Sequence, residues 1–158
     1  MLEALKAKGV TIHPVVLHVG AGTFLNPTPE QIAKGELHAE WAHVPAPTAE
    51  AVLAAQRSGK RVVAVGTTAM RTLESWGKLG CPAQGFSGET TIFIQPGYAF
   101  KVVTHLITNF HLSGSSLLML VAAFVGEDAM KTIYAHAINH RYRFYSFGDS
   151  SLLTRQRA

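Results

Sequence analysis

The chain has 158 residues, 47% of them hydrophobic and 15% charged, against a charged share of about 25% in ordinary domains. That is one domain's worth of chain, and the composition excludes a disordered polymer while leaving ample apolar material for a core. The longest apolar run, Leu117 to Val125, has nine residues, short of the roughly 20 that a membrane-spanning helix needs. The polar opening MLEALKAKG lacks an apolar signal region, and the lone Cys81 excludes a disulfide framework and a Cys-rich zinc site. A cytoplasmic protein without membrane contact is expected. Fourteen basic residues face ten acidic ones, a net charge of +4, which suits a polyanion partner without requiring one. Between Asn139 and Ala158, Arg141, Arg143, Arg155 and Arg157 are opposed only by Asp149.

In chain order, Leu2 to Lys8 has helical spacing and stops at Gly9. The β-branched stretch Val10 to Val19 predicts a strand ending at Gly20-Ala21-Gly22-Thr23. Thr28-Pro29-Glu30-Gln31 fits a capping box with proline at the first helical position. Leu37, Ala39 and Trp41 alternate with His38, Glu40 and Ala42, the period of a half-buried strand with His38 and Glu40 on one face. Pro45-Ala46-Pro47 breaks the chain, and Thr48 is positioned to cap a helix to about Ser58. Arg61 to Val65 predicts a strand, and a helix over about Ala69 to Trp76 follows Gly66-Thr67-Thr68. Further strands are predicted at Thr91–Ile94 and His105–Phe110, and helices at Leu117–Val125 and Asp128–Asn139. Tyr142 to Phe147 closes the pattern as an aromatic strand or loop.

Strands alternating with helices predict a single α/β domain over residues 1–158, layered around a mainly parallel sheet with flanking helices. In such sheets ligands bind at the carboxyl ends of strands. The residues with chemistry fall there: after Val19, after Val65 and after Phe110. In LHVGAGTF (Leu17–Phe24) two glycines let backbone amides approach an anion, and Thr23 adds a hydroxyl; a tight turn needs the same residues. In VAVGTTAMRTLES (Val63–Ser75) a helix N-terminus favours an anion, and Arg71 either clamps a carboxylate or pairs with Glu74. His38 and Glu40 form an acid–base couple or an exposed polar face. TNFHLSGSS (Thr108–Ser116) gathers Asn109, His111 and three serines at one strand end. YRFYSFGD (Tyr142–Asp149) mixes arginine with aromatics that can stack on bases, or is a packed C-terminal strand. Neither HExxH, a Walker lysine nor a GxSxG elbow is present.

Taken together, LHVGAGTF, ELHAEW, RVVAVGTTAMRTLES, TTIFIQPGYAFKVV, LITNFHLSGSSLLMLVAAF and YRFYSFGDSSLL resemble, in order and from about Leu2 to Thr154, the S-adenosylmethionine:tRNA ribosyltransferase-isomerases of queuosine biosynthesis. The chain departs from that pattern at Trp41, where the family usually has Tyr, at Ala69-Met70 for Ser-Val, and at Ser113 for Pro. The Trp41 change removes a phenolic hydroxyl. The family's chain is longer, with a Rossmann-like layered α/β domain and an inserted β-barrel. The resemblance therefore reads as the C-terminal portion, without the barrel or the family segment PTAGLHF. The missing N-terminal half is then an expected partner, and a catalytically incomplete nucleotide- or RNA-binding module is the alternative reading.

The resemblance implies S-adenosylmethionine as co-substrate, no metal, and a tRNA carrying 7-aminomethyl-7-deazaguanine in its anticodon. The ribosyl part is transferred and rearranged to give epoxyqueuosine, with release of adenine and methionine. Such a route needs a base near the 5′ carbon, donors for adenine and a site for the methionine carboxylate. On that reading His18 and His111 are candidate proton carriers, with His38 and Glu40 as the rival pair. Gly20, Gly22, Thr23, Gly66, Thr67 and Thr68 form the cofactor loops, Arg71 holds the carboxylate and Asn109 orients a ribose hydroxyl. Arg141 and Arg143 meet tRNA phosphates, and the exposed anticodon base supplies selectivity.

Overall fold

Local signals decide most of the helices. A computed structural model of the chain describes residues 1–20 and 26–156. Helix α1 spans Leu2–Ala7. Helix α2 spans Pro29–Lys34, opened by the complete Thr28/Gln31 capping box and closed by Gly35 in the left-handed conformation at φ 69°, as a C-terminal glycine permits. Helix α3, Ala46–Arg57, starts two residues ahead of the predicted cap. Thr48 does not cap it: its hydroxyl donates to Pro14 O at 2.9 Å and ties the helix to the preceding segment instead. Helix α4 spans Thr67–Lys78, α5 Ser116–Val125 with Ser115 as its cap, and α6 Glu127–Asn139. No helix among the described residues is long and apolar enough to cross a membrane.

The strands depart further from expectation. Strand β1 is only Val16–Leu17: the pairing with β2 is continued by a single bond, His18 N–H to Trp41 O at 2.8 Å, and among the described residues Val10–Val15 pairs with no strand. Strands β2 (Glu36–Val44) and β4 (Phe86–Ile92) complete a three-stranded sheet in the order β1-β2-β4, with both pairings antiparallel. The pairing register shifts between Glu36 and Glu40, so the simple two-residue alternation is broken there. His38 ends exposed while Glu40 is buried.

A second sheet has the order β3-β5-β6, from Val63–Val65, His105–Asn109 and Ser150–Thr154. Here β3 pairs parallel with β5, and β5 pairs antiparallel with β6. The fold is therefore mixed α/β, and the mainly parallel sheet expected from sequence is not what the described strands form. Only one of their four pairings is parallel. The aromatic segment Tyr142–Phe147 is not a strand; the chain passes through it and pairs only from Ser150.

Helix α4 packs on both sheets and carries Met70, Leu73 and Trp76 into the core, where they meet Val44, Ile92, Val103, Leu106, Leu120 and Phe124. Burial of such side chains is the main driving force for the fold. The same helix buries polar groups. Glu74 is 0% exposed, and its carboxylate accepts hydrogen bonds from the backbone N–H of Lys101, Val102 and Val103 at 2.9–3.0 Å and from Tyr98 Oη at 3.3 Å. It fastens the connection between β4 and β5 onto α4.

Candidate functional site

Two chain segments leave one edge of the second sheet together. The parallel register sets Val65 beside Ile107, and Gly66 N–H donates to Ile107 O at 2.8 Å. Gly66-Thr67-Thr68 and Thr108–His111 therefore emerge at the same carboxyl edge. Gly66 sits before α4 at φ 90°, a backbone setting in which a side chain would be strained. Among the described residues no side chain caps that helix start, so its first-turn amides and the positive end of its dipole take no side-chain partner from them. Thr68 spends its carbonyl on the Thr72 hydroxyl, at 2.9 Å.

One turn further along α4, Arg71 is 3% exposed and pairs through Nη1 with Oε2 of Glu40, itself 5% exposed. The other Glu40 oxygen accepts Gly20 N–H at 2.9 Å. Glu40 thus joins helix α4, strand β2 and the start of the glycine loop. Arg71 does not pair with Glu74, which is taken by the loop amides. Its Nε and Nη2 are buried without a hydrogen-bond partner among the described residues. Those two donors form the edge of the guanidinium that suits a carboxylate or phosphate bidentately.

At the end of β5, His111 Nε2 lies 2.8 Å from Thr108 Oγ1, and its backbone N–H donates to Tyr134 Oη at 2.9 Å. Burial lowers the His111 imidazole to about 4, so the ring is neutral at pH 7. Burial also raises the Tyr134 phenol above its ordinary value, keeping it a protonated hydroxyl. Asn109 is already engaged, its Nδ2 donating to Asp149 O at 3.2 Å.

The remaining expected site residues are more dispersed. His18 is exposed on the first sheet, 4.7 Å from the Trp41 ring, which in turn stacks on His43 at 5.8 Å. His38 and Glu40 do not share an environment, for the register reason given above. Gly22 and Thr23 lie outside the described residues. Arg141 is exposed at φ 56°. Arg143, expected to meet phosphate, is engaged with Asp149: Nη2 donates to Oδ1 at 3.0 Å and the backbone N–H to Oδ2 at 2.8 Å. Those bonds hold the Asp149 carboxyl below its ordinary range and the Arg143 guanidinium above its own. Sequence reasoning missed the contributions of Tyr134, Tyr98 and the Glu74 latch, whose partners lie far away in the chain. Among the described residues no group of three or more His, Cys, Asp or Glu stands together as a metal site would require.

Residues 1–153 match the family described as "Queuosine biosynthesis protein". The chain belongs to that family. A relative from Herminiimonas arsenicoxydans, named S-adenosylmethionine:tRNA ribosyltransferase-isomerase, is 54% identical over 155 residues, covering 98% of this chain and 45% of the relative. One of the same name from Rhodopseudomonas palustris (strain BisB5) is 52% identical, covering 98% and 43%. A crystal structure of S-adenosylmethionine tRNA ribosyltransferase from Thermotoga maritima superposes with a TM-score of 0.79 at 44% identity, covering 96% of this chain and 47% of that one. The chain thus spans somewhat under half the length of these queuosine-family relatives. In this queuosine-family chain the Arg71–Glu40–Gly20 junction and the Thr108–His111 strand end are two polar clusters in addition to the Glu74 latch.

Proposed function

We propose that this chain is the C-terminal α/β portion of an S-adenosylmethionine:tRNA ribosyltransferase-isomerase. In this reading the ribosyl part of S-adenosylmethionine is transferred to 7-aminomethyl-7-deazaguanine in a tRNA anticodon and isomerised to epoxyqueuosine. Adenine and methionine leave. The observation that carries the reading is the buried Arg71, whose Nε–Nη2 edge has no hydrogen-bond partner among the described residues. Leaving buried donors unmet costs about 1–3 kcal/mol each, a cost that a bound carboxylate such as methionine's removes. Glu40 then acts as a positioning residue, aiming Arg71 while holding Gly20. The amides of Gly66, Thr67 and Thr68 line the cofactor edge.

His111 is the proton carrier in this proposal: neutral at pH 7, it can accept a proton from the carbon beside the sulfonium. His18, exposed against Trp41, is the second candidate. Asn109, committed through Nδ2 to the Asp149 carbonyl, retains its side-chain oxygen for a ribose hydroxyl. Arg141 meets tRNA phosphate.

The test is adenine release by HPLC from S-adenosylmethionine, with tRNA bearing the aminomethyl-deazaguanine base against tRNA lacking it. Release that depends on the modified base and falls at least tenfold in Arg71→Gln supports the proposal. No release from a chain shown folded by circular dichroism overturns it for this chain and leaves a nucleotide- or RNA-binding scaffold.

A further inference from the structure

The segment between α6 and β6 presents aromatic rings to solvent on a backbone tied down at many points. Phe147 is 97% exposed and Tyr145 58% exposed. Apolar rings on a wandering loop would be unremarked, but this loop is braced. Tyr142 N–H donates to Ala137 O, Tyr145 N–H to Phe110 O, Gly148 N–H to Tyr145 O and Asp149 N–H to Arg143 O, all at 2.8–3.1 Å. The Arg143–Asp149 pair closes the loop from outside. From inside, Phe110 packs edge-on against Tyr142 and tilted against Phe144. A side chain at Gly148 would collide with Arg143 O, so the turn closes only with glycine there.

Two of the three non-glycine residues with positive φ among the described residues, Arg141 and Tyr145, lie in this segment. Such backbone is unfavourable unless its surroundings enforce it. The loop is also moored to the candidate site, through Tyr145 to Phe110 and through Asp149 to Asn109, the two residues before His111. Its charge is positive: Arg141 is exposed and free of the Asp149 clamp, which consumes Arg143.

The geometry points to a base-stacking platform for single-stranded RNA: Phe147 and Tyr145 stack on unpaired bases of a hairpin loop, and Arg141 meets the adjoining phosphate. Arg143 and Asp149 position the platform and do not touch the RNA. Rings on a preorganised backbone lose little entropy when a base docks, and every base offers a face to stack on. The positive rim favours RNA over an apolar protein segment, which would leave Arg141 unmatched. This inference rests on the transferase reading, because that reading is what brings tRNA to the chain.

The test is fluorescence anisotropy of the whole chain with a labelled RNA hairpin carrying an unpaired loop, against a fully paired duplex of equal length. The wild type should prefer the hairpin. Phe147→Ala and Tyr145→Ala should each weaken hairpin binding by about 5- to 150-fold, the range for one stacked base, and erase the preference. Phe147→Trp should retain it. Arg141→Gln should instead lower the salt slope by about one. Both rings are exposed, so neither alanine variant removes core packing. Wild-type affinity in Phe147→Ala, or a wild type that does not distinguish hairpin from duplex, overturns the platform. Adenine release separates the two ideas: release with an unaltered Phe147→Ala sinks the platform alone, and ring-dependent hairpin binding without release sinks the transferase alone.

Discussion

Glu74→Gln tests whether a single buried carboxylate holds the β4–β5 connection to helix α4. Oε1 accepts the N–H groups of Val102 and Val103, and Oε2 accepts the N–H of Lys101 and the Tyr98 hydroxyl. Glutamine keeps one oxygen and turns a second donor toward two of those four groups. With the amide at the Oε2 position the Tyr98 hydroxyl can turn to accept from it, so Lys101 N–H alone is left unmet at about 1–3 kcal/mol. The remaining bonds weaken from charge-assisted to neutral, for a total loss of about 2–5 kcal/mol. That is a large share of a typical stability of about 5–15 kcal/mol. Urea unfolding followed by circular dichroism should show the midpoint falling by about 1–3 M at an ordinary denaturant slope. Tyr98→Phe removes only the 3.3 Å bond and should cost about 1 kcal/mol or less. A Glu74→Gln chain within about 1 kcal/mol of wild type would refute the latch, since at most a single weak bond would then have been lost.

Two further predictions concern the candidate site. His111, lowered by burial to about 4 from an ordinary 6.5, binds its proton more readily in the unfolded chain, so its contribution is present above pH 6.5 and is lost as pH falls from there toward 4. At about 1.36 kcal/mol per unit the ceiling is about 3 kcal/mol, and partial solvent access reduces it to about 2. An NMR titration of the ring proton that gives a midpoint near 6.5 would sink this. Removing one partner of the buried Glu40–Arg71 pair should cost about 3–5 kcal/mol, because it strands a charge. In a double-mutant cycle of Glu40→Ala and Arg71→Ala by urea unfolding, additive losses would show that the pair is not coupled.

What local chemistry could decide was readable from the chain. The capping box at Thr28, the strand–glycine–helix passage at Val63–Lys78 and the apolar helix at Ser116–Val125 are all set by residues within a turn or two of each other. The order of motifs was sufficient for the family, which the match over residues 1–153 shows. Pairing was a different matter. Val10–Val15 has strand composition but no strand partner among the described residues, whereas Ser150–Thr154, with little strand signal, pairs with β5 over its full length. The parallel sheet expected from alternation gave way to mostly antiparallel pairing, because strand partners are chosen by burial across the whole chain. Arg71 and Glu74 stand three apart on one helix, yet the structure sends Arg71 to Glu40 and Glu74 to the loop amides. An intrahelical pair gains only a few tenths of a kcal/mol. A buried charge must find partners that offset its lost hydration, and those partners are brought within reach only by the tertiary fold.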